Sequence, residues 1–284
     1  MTQHASPTSL AEALRVLATV PDVKLVAGCT DLMVGLLTAE AEARSPMPAV
    51  MDIFGIPEIC GIRERDGGLE IGAATTFTEI RDSKLVRRQA PALAAAAAEV
   101  GGWQIQNRAT IGGNVVNASP AGDSLPVLLA LDALAVVVDA EGERELPYRE
   151  FHVGYRTTAL RPGELLGWLR LPRAEPGTRQ FFRKVGTREA QSISKVVVAL
   201  AGRVEDGRVA EYRLAAGSVA ATPIRFHALE TELVGRAADA AAADFAGQTA
   251  AAAVSPIDDV RSTAEYRRFV LDRVVRRLTL QLFE

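Results

Sequence analysis

One stretch of the 284-residue chain constrains its fold more than any other, namely QNRATIGGNVVNASPAGDSLPVLLALDA at 106–133. Gly112 and Gly113 stand together among small polar residues, and a long apolar run follows them. Paired glycines let the backbone approach another group without side-chain obstruction, whereas the apolar run must be buried. We therefore expect a polar loop that lies against the hydrophobic core and exposes backbone amides.

A second glycine loop, VAGCTDL at 26–32, lies about eighty residues earlier. The pattern predicts a strand over 24–28, a tight turn at Gly28 and a helix over 31–43, which Asp31 could cap. Successive N–H groups in such a turn form a nest for anions, and a helix N-terminus adds partial positive charge. Polar side chains of the later loop add hydroxyl and amide groups that suit phosphate oxygens, namely Thr110, Asn114 and Asn117. The two loops suit a ligand with two phosphates, although neither has the GxGxxG pattern of Rossmann folds or the Gly-Lys-Ser/Thr of a P-loop.

Asp123 stands just before the apolar run, so its carboxylate is expected at the mouth of a buried segment. Two interpretations stay open from the residues alone. The carboxylate either faces a ligand or caps the helix that is predicted to contain Pro126 to Leu131.

A change of pattern divides the chain into two predicted domains. Short strands and helices alternate up to Pro172, and RAEPGT at 173–178 is typical of a linker. Beyond it strands come first and helices follow, which indicates a separate α+β domain. We expect a first domain over 1–174, with lobes of about 1–54 and 55–174, and a second domain over 175–284.

Hydrophobic periodicity and capping residues locate the elements of both domains. Strands are predicted at 49–53, 69–74, 134–140, 164–172, 179–185, 195–207 and 208–219, with a hairpin turn at 205–208. Helices are predicted to start at Ser9, Thr76 and Ser262, each with a glutamate three residues later, and to cover 92–100 and 239–253. In the terminal helix, Tyr266, Val270, Val274 and Leu278 are predicted to share one face.

Composition narrows the classes of function. The net charge of -3 and the pI of about 5.8 give no reason to expect nucleic acid or an anionic membrane as a partner. Without a signal-peptide pattern or an apolar run near the roughly 18 residues of a membrane span, a cytoplasmic protein is expected. The two cysteines form no cluster with histidine, which predicts no bound metal, and Cys60 is expected in the core. The three scattered histidines predict no catalytic residue.

Both glycine loops resemble those of a known family. VAGCTDLMVGL and NRATIGGNVVNASPAGDSLPVLLALDA are similar to two loops of the FAD-binding medium subunit of molybdenum hydroxylases, a family that includes xanthine dehydrogenase-like enzymes and carbon monoxide dehydrogenase. The resemblance continues through FHVGYRTTALRPGELL at 151–166 and FFRKVGTREAQSISKV at 181–196. It implies an α+β fold, in which a two-lobed FAD-binding domain of the vanillyl-alcohol-oxidase/PCMH type precedes a small α+β domain.

The resemblance also implies which residues bind FAD. The first loop would wrap the pyrophosphate with the amides of Ala27, Gly28, Cys29, Thr30, Asp31 and Leu32. The second loop would face it with Thr110, Ile111, Gly112, Gly113 and Asn114. Asp123 would hydrogen-bond to the ribityl chain or the ring edge, and Leu166 would contact the ring. Lys184 would approach the polar edge of the ring, where a cation stabilises reduced flavin.

Cys29 departs from the family, which usually has a second glycine at this position. If φ is positive there, a cysteine costs energy and narrows the site. A redox-active thiol is the alternative use of this residue.

The function that the resemblance implies is electron transfer within a flavoprotein oxidoreductase. A large partner subunit would hold molybdopterin and a small one two [2Fe–2S] clusters, in a dimer of heterotrimers. FAD on this chain would pass electrons to NAD+ or another acceptor. Two alternatives stay open, a stand-alone flavin oxidoreductase of the same fold and a non-catalytic assembly subunit that has lost FAD.

Overall fold

A computed structural model of the protein describes residues 4–20, 22–32, 34–35 and 48–284. Most of the helix predicted over 31–43 lies outside these residues. Within them, a helical turn begins at Leu32, and the Gly35 N–H donates to the Asp31 carbonyl at 3.3 Å.

Strands and helices alternate irregularly along the described residues. The strands are β1 (His4–Ala5), β2 (Lys24–Val26), β3 (Val50–Asp52), β4 (Ile62–Arg65), β5 (Gly68–Gly72), β6 (Leu134–Val138), β7 (Glu143–Pro147), β8 (His152–Gly154), β9 (Thr157–Thr158), β10 (Leu165–Leu171), β11 (Arg179–Val185), β12 (Val196–Glu205), β13 (Arg208–Gly217) and β14 (Ile224–Arg225). The helices are α1 (Leu10–Thr19), α2 (Phe77–Asp82), α3 (Lys84–Gln89), α4 (Pro91–Glu99), α5 (Trp103–Gln106), α6 (Ile111–Asn117), α7 (Leu125–Ala130), α8 (His227–Leu233), α9 (Ala240–Ala252) and α10 (Ala264–Phe283).

The first lobe is a small parallel sheet of order β1-β3-β2. Met51 in its central strand is fully buried. Helix α1 begins at its predicted cap, because the Glu12 N–H donates to Ser9 Oγ at 3.3 Å. The Glu12 carboxylate, however, accepts from the Thr8 N–H instead of completing the predicted capping box. Strand β2 ends at Val26, where the first glycine loop begins.

The second lobe is an antiparallel sheet of order β4-β5-β10-β6-β7. Alternate residues of β6 face opposite sides, since Val137 packs into the core formed with α2 to α7, whereas Val136 and Val138 pack toward the first lobe. Trp168 in β10 also faces the first lobe, and its indole N–H donates to the Glu58 carbonyl at 3.0 Å. The sheet is thus buried on both faces and fixes the two lobes against each other.

The C-terminal sheet, of order β11-β12-β13-β14, is also buried on both faces. In β12, Ala199 and Ala201 join the core of the second lobe, whereas Val198 and Leu200 pack with the C-terminal helices. Helices α4 and α7 of the first part of the chain lie on the alanine side of this sheet, and α10 lies on the other. The small side chains of Ala199 and Ala201 let α7 lie close to the C-terminal sheet. The C-terminal region therefore shares a core with the region before the predicted linker.

Several predicted elements are confirmed, among them the Thr76–Glu79 capping box at α2 and the hairpin between β12 and β13. Others are wrong. Helix α10 is capped by Thr263, whose side chain accepts from the Tyr266 N–H, and not by Ser262. Of the four residues predicted to share a face, Val270 and Leu278 are buried, Val274 packs partly buried against the same core, and Tyr266 is exposed. Cys60 is exposed and does not lie in the core. No helix among the described residues is long and apolar enough to span a bilayer.

Candidate functional site

A cleft of about 1660 Å³ opens where the two lobes and the C-terminal sheet meet. Its walls include both glycine loops, the start of β10, and the loop between β11 and β12. The volume exceeds the roughly 300–1,000 Å³ that is typical of a pocket for a drug-sized ligand. The cleft therefore has room for a ligand as large as a dinucleotide.

The first glycine loop is pressed against the chain that leads into the second one. A Cβ on Gly28 would collide with the carbonyl oxygen of Arg108 and lie 2.9 Å from the Ala109 Cα. Real Cβ atoms essentially never come this close to backbone atoms. Glycine is therefore required at position 28 for space, and this contact sets the two loops beside each other on the cleft.

The first loop offers unpaired backbone donors. Within the described residues, the N–H groups of Gly28, Cys29, Thr30 and Asp31 donate to no protein acceptor. All four residues line the cleft, as do Ala27 and Leu32. Successive unpaired N–H groups on a concave wall suit an anion such as phosphate. The unpaired amides on these cleft-lining residues are consistent with the predicted nest, and anion binding there stays a prediction.

The backbone at Cys29 has a positive φ, +61°, a conformation that favours glycine. Its thiol donates to the Ala27 carbonyl at 3.3 Å. Burial, and then the nearby Asp52 carboxylate, raises the pKa of the thiol above its ordinary value. A protonated thiol is a poor nucleophile and metal ligand, which disfavours the redox-active alternative.

The second loop differs from the prediction, because its amides are already paired. Each N–H from position 111 to 114 has an intramolecular acceptor. The Ile111 N–H donates to the Thr75 carbonyl at 3.0 Å, and the Gly112 N–H donates to the Ala73 carbonyl at 2.8 Å. The Gly113 N–H donates to Thr110 Oγ1 at 3.1 Å, and the Asn114 N–H donates to the Thr110 carbonyl at 3.0 Å. The expected exposed nest is thus absent here. The cause is that two neighbours supply acceptors. The chain after β5 provides the Thr75 and Ala73 carbonyls, and Thr110, the N-cap of α6, accepts from Gly113 and Asn114.

Of the two glycines, Gly112 serves packing within the fold. A Cβ on Gly112 would lie 2.6 Å from both the Cβ and the carbonyl oxygen of Ala73. A Cβ on Gly113 would meet Thr110 Oγ1 alone, at 2.9 Å. Gly112 therefore lets the first turn of α6 lie against the chain that follows β5, which is a structural role that the sequence pattern does not distinguish from ligand binding.

Side chains of the second loop still reach the cleft. Thr110, Asn114 and Asn117 line it together with both glycines. The Asn114 Oδ1 accepts from Ser124 Oγ at 2.7 Å, which holds this amide with its oxygen toward Ser124. Ile111, in contrast, is fully buried and does not line the cleft. This wall can therefore meet a ligand with a hydroxyl and two amide groups.

Asp123 lines the cleft and is not the N-cap of α7, a position that Ser124 occupies. Its carboxylate accepts from Lys184 Nζ at 2.6 Å and from Ser194 Oγ at 2.5 Å. Burial raises the pKa of Asp123, and the Lys184 ammonium opposes that rise. Lys184 itself is buried behind Asp123 and does not line the cleft.

The remaining walls combine one predicted residue with several that sequence reasoning missed. Leu166, at the start of β10, lies on the cleft wall and is 3% exposed. Exposed apolar side chains on the rim were not foreseen, namely Val116, Tyr155, Ile193 and Ile257. Tyr155 lies at the turn between β8 and β9. The stretch FHVGYRTT, in which residues that favour β-strands flank a glycine, could have indicated this hairpin. Among the described residues, no group of three His, Cys, Asp or Glu side chains could hold a metal ion.

The fold and the cleft define a class, a two-lobed α+β protein built to hold a phosphate-containing dinucleotide. Comparison with known sequences identifies the family. Residues 1–174 match the family described as the FAD binding domain in molybdopterin dehydrogenase, and residues 181–282 match the CO dehydrogenase flavoprotein C-terminal domain. The chain therefore belongs to the FAD-binding subunits of the molybdenum hydroxylases, and it is a flavoprotein subunit of an oxidoreductase.

Individual relatives agree with this assignment over nearly the whole chain. The xanthine dehydrogenase FAD-binding subunit of Escherichia coli O157:H7 is 32% identical, over 97% of this chain and 93% of its own length. The carbon monoxide dehydrogenase medium chain of Hydrogenophaga pseudoflava is 30% identical, over 97% and 94%. The solved structure of carbon monoxide dehydrogenase from the same organism, in a form that lacks the Mo-pyranopterin moiety, matches with a TM-score of 0.90 and 30% identity, over 97% of this chain and 95% of that chain. The predicted fold class is thereby confirmed.

Proposed function

We propose that the cleft holds FAD with its pyrophosphate on the first glycine loop and its ring toward Leu166 and the C-terminal sheet. The observation that carries this proposal is the run of unpaired N–H groups from Gly28 to Asp31 on the cleft wall. Anions bind to such groups without side-chain charge, because the donors are already oriented by the fold. The fit of the site to FAD rests on these donors, on the closely packed Gly28, and on the size of the cleft.

The other wall would contribute side chains in place of amides. Thr110, Asn114 and Asn117 line the cleft. Thr110 and Asn114 would donate to phosphate or ribityl oxygens. Gly112 and Gly113 would set the position of this wall, and Ile111 would anchor it in the core. Asp123 would accept a hydrogen bond from a polar edge of the cofactor. When bound, FAD supplies redox chemistry, and these residues bind it, orient it and exclude water.

The chain would act as the electron-transfer subunit of a larger enzyme. We place molybdopterin on a large partner subunit and [2Fe–2S] clusters on a small one, in a dimer of heterotrimers, with NAD+ or another compound as acceptor. Support comes from the relatives named as a medium chain and as a FAD-binding subunit. We place the complex in the cytoplasm, where thiols such as Cys29 and Cys60, both free here, stay reduced. The division into domains at 174/175 is part of the same proposal.

A comparison of FAD with riboflavin tests the phosphate grip. Both carry the same ring and ribityl chain, but riboflavin lacks the pyrophosphate and the adenosine of FAD, so it cannot use the unpaired amides. We expect the purified chain to bind FAD at least about 100-fold more tightly than riboflavin, which is about 2.7 kcal/mol. Quenching of flavin fluorescence in titrations of the two compounds measures this ratio. Equal affinities would contradict the proposal.

Co-purification tests the heteromeric part of the function. The tagged chain, expressed in its native host, should retain a molybdenum-containing large chain and an iron–sulfur chain. The chain alone, loaded with FAD, should have no substrate oxidation of its own. Turnover by the isolated chain would favour the stand-alone alternative, and a chain without flavin that still holds both partners would favour the assembly-subunit alternative.

A further inference from the structure

A buried polar cluster joins the FAD-binding region to the C-terminal region just behind the cleft wall. Asp123 precedes α7, whereas Lys184 lies on β11 and Ser194 on the loop after it. The Lys184 ammonium donates to Asp123 Oδ2 at 2.6 Å and to the Glu99 carbonyl at 2.8 Å. Ser194 donates to Asp123 Oδ1. Both carboxylate oxygens are therefore held by side chains from beyond the predicted linker.

The cluster is ordered from the cleft inward. All three residues are buried, but Asp123 and Ser194 line the cleft, whereas Lys184 does not. A lysine that stands behind a carboxylate reaches a ligand in the cleft through that carboxylate. The positive charge of Lys184 is also compensated by the Asp123 carboxylate, because the two form a hydrogen-bonded ion pair. A ligand in the cleft therefore experiences little net charge from this pair.

We propose that Lys184 is a positioning residue that, together with Ser194, keeps Asp123 ionised and fixed in orientation at the cleft wall. The C-terminal region thereby sets the affinity of the site for FAD. This inference rests on the proposed function, and it gives Lys184 a role different from the direct approach to the flavin edge that the family resemblance implies.

The electrostatics of the cluster support this role. The charged groups that face Asp123 are Lys184 from β11 and the Glu99 carboxylate from α4, and Arg183 acts on Glu99. Burial raises the pKa of both carboxyls, and the Asp123 carboxylate raises the pKa of Glu99 further. The Lys184 ammonium opposes the rise at both carboxyls. Loss of the ammonium would leave the buried Asp123 carboxyl beside the Glu99 carboxyl without a cation. The pKa of Asp123 would then rise, and Asp123 would be protonated at a higher pH than before. A protonated Asp123 would present an O–H where an acceptor is needed.

The test measures FAD affinity by fluorescence from about pH 6 to about pH 9, a range chosen around neutrality and below the ordinary lysine pKa. Lys184→Met should weaken FAD binding about tenfold at neutral pH, which is about 1.4 kcal/mol, and binding should recover as the pH rises. Lys184→Arg should restore most of the affinity. Lys84→Met, the same change at an exposed lysine of α3, should leave the profile unchanged.

A double substitution separates positioning from direct contact. If Lys184 acts through Asp123, then Lys184→Met in an Asp123→Asn background should weaken FAD binding no further and show no pH dependence. An equal, pH-independent loss in both backgrounds would overturn the proposal while leaving FAD binding itself intact. Failure of the unaltered chain to bind FAD would instead refute the proposed function.

Removal of a buried cation can unfold a protein, so a milder variant keeps the test decisive. Ser194→Ala removes one hydrogen bond to Asp123 without a change of charge. It should weaken FAD binding about threefold, or about 0.7 kcal/mol, and again more at low pH than at high pH. A flat pH profile for this variant, with its thermal unfolding unchanged, would overturn the proposal.

Discussion

The two glycine loops look alike in the sequence but are built differently. In the part of the chain that the structure describes, the N–H groups of Gly28 to Asp31 have no protein acceptor, whereas every amide from 111 to 114 is paired. One loop presents backbone donors to the cleft, and the other presents a hydroxyl and two amide side chains.

The difference teaches that a glycine pair does not identify a nest by itself. At both loops, glycine is needed because another part of the chain comes too close for a Cβ. What differs is whether that neighbour also accepts the hydrogen bonds. Ala73 and Thr75 supply acceptors to the second loop, whereas the first loop meets Arg108 and Ala109 without pairing.

The largest expected effect is at Gly28. Alanine there would force the loop away from the Arg108 carbonyl, and overpacking against backbone should lower the free energy of unfolding by about 3 kcal/mol. FAD retention should be lost as well, because the donors move with the loop. Urea unfolding of the flavin-free chain and flavin content after gel filtration measure the two effects. An unchanged free energy of unfolding would show that the two loops do not touch.

Gly112 and Gly113 form a matched pair for the second loop. Gly112→Ala should lower the free energy of unfolding by about 2 kcal/mol, because its Cβ would meet Ala73. Gly113→Ala should change it by less than about 1 kcal/mol, since the gain in helix propensity offsets the disturbed Thr110 cap. The same urea titration compares them. If both variants are equally stable but neither retains FAD, the glycines serve the ligand and not the packing.

Thr110 tests whether the second wall works through its side chain. Thr110→Ala removes the cap of α6 and should cost about 1 kcal/mol of stability. It should also weaken FAD binding, whereas Thr110→Ser keeps the hydroxyl and should preserve both properties. Titration calorimetry with FAD and thermal unfolding measure the pair of variants. If Thr110→Ala and Thr110→Ser bind FAD equally well, the Thr110 hydroxyl does not contribute to FAD binding.

The smallest effect is expected at Cys29. Cys29→Gly relieves the cost of φ +61° but makes the unfolded chain freer, so the net gain should be about 0.5 kcal/mol. FAD affinity should be kept or increased. Cys29→Ala serves as control, because it removes the thiol and keeps the backbone strain. Weaker FAD binding by both variants would show that the thiol takes part in binding.

Local patterns predicted much of the fold. The hairpin turn at 205–208 was predictable because Asp206 and Gly207 both take positive φ, which this turn demands. The Thr76 cap was predictable because its glutamate partner is three residues away. The cap of α10 was missed by one residue, since both Ser262 and Thr263 carry hydroxyls and a backbone pairing of Ser262 with Asp259 decided between them.

Most of the residues that the family resemblance implies as FAD contacts line one cleft, although Ile111 and Lys184 do not. Their contacts with FAD stay a prediction. The pairing of the 111–114 amides was not predictable, since their acceptors include Ala73 and Thr75, which are distant in sequence. The place of Lys184 behind Asp123 depends on how β11 packs against α4, which no local pattern encodes.

The central claim is that the pyrophosphate rests on the backbone of the first loop. A crystal structure of the chain with FAD tests it most directly. The account predicts phosphate oxygens within about 3.2 Å of at least two nitrogens among Gly28, Cys29, Thr30 and Asp31. Phosphates held elsewhere, with these nitrogens bonded to water or to protein, would contradict it.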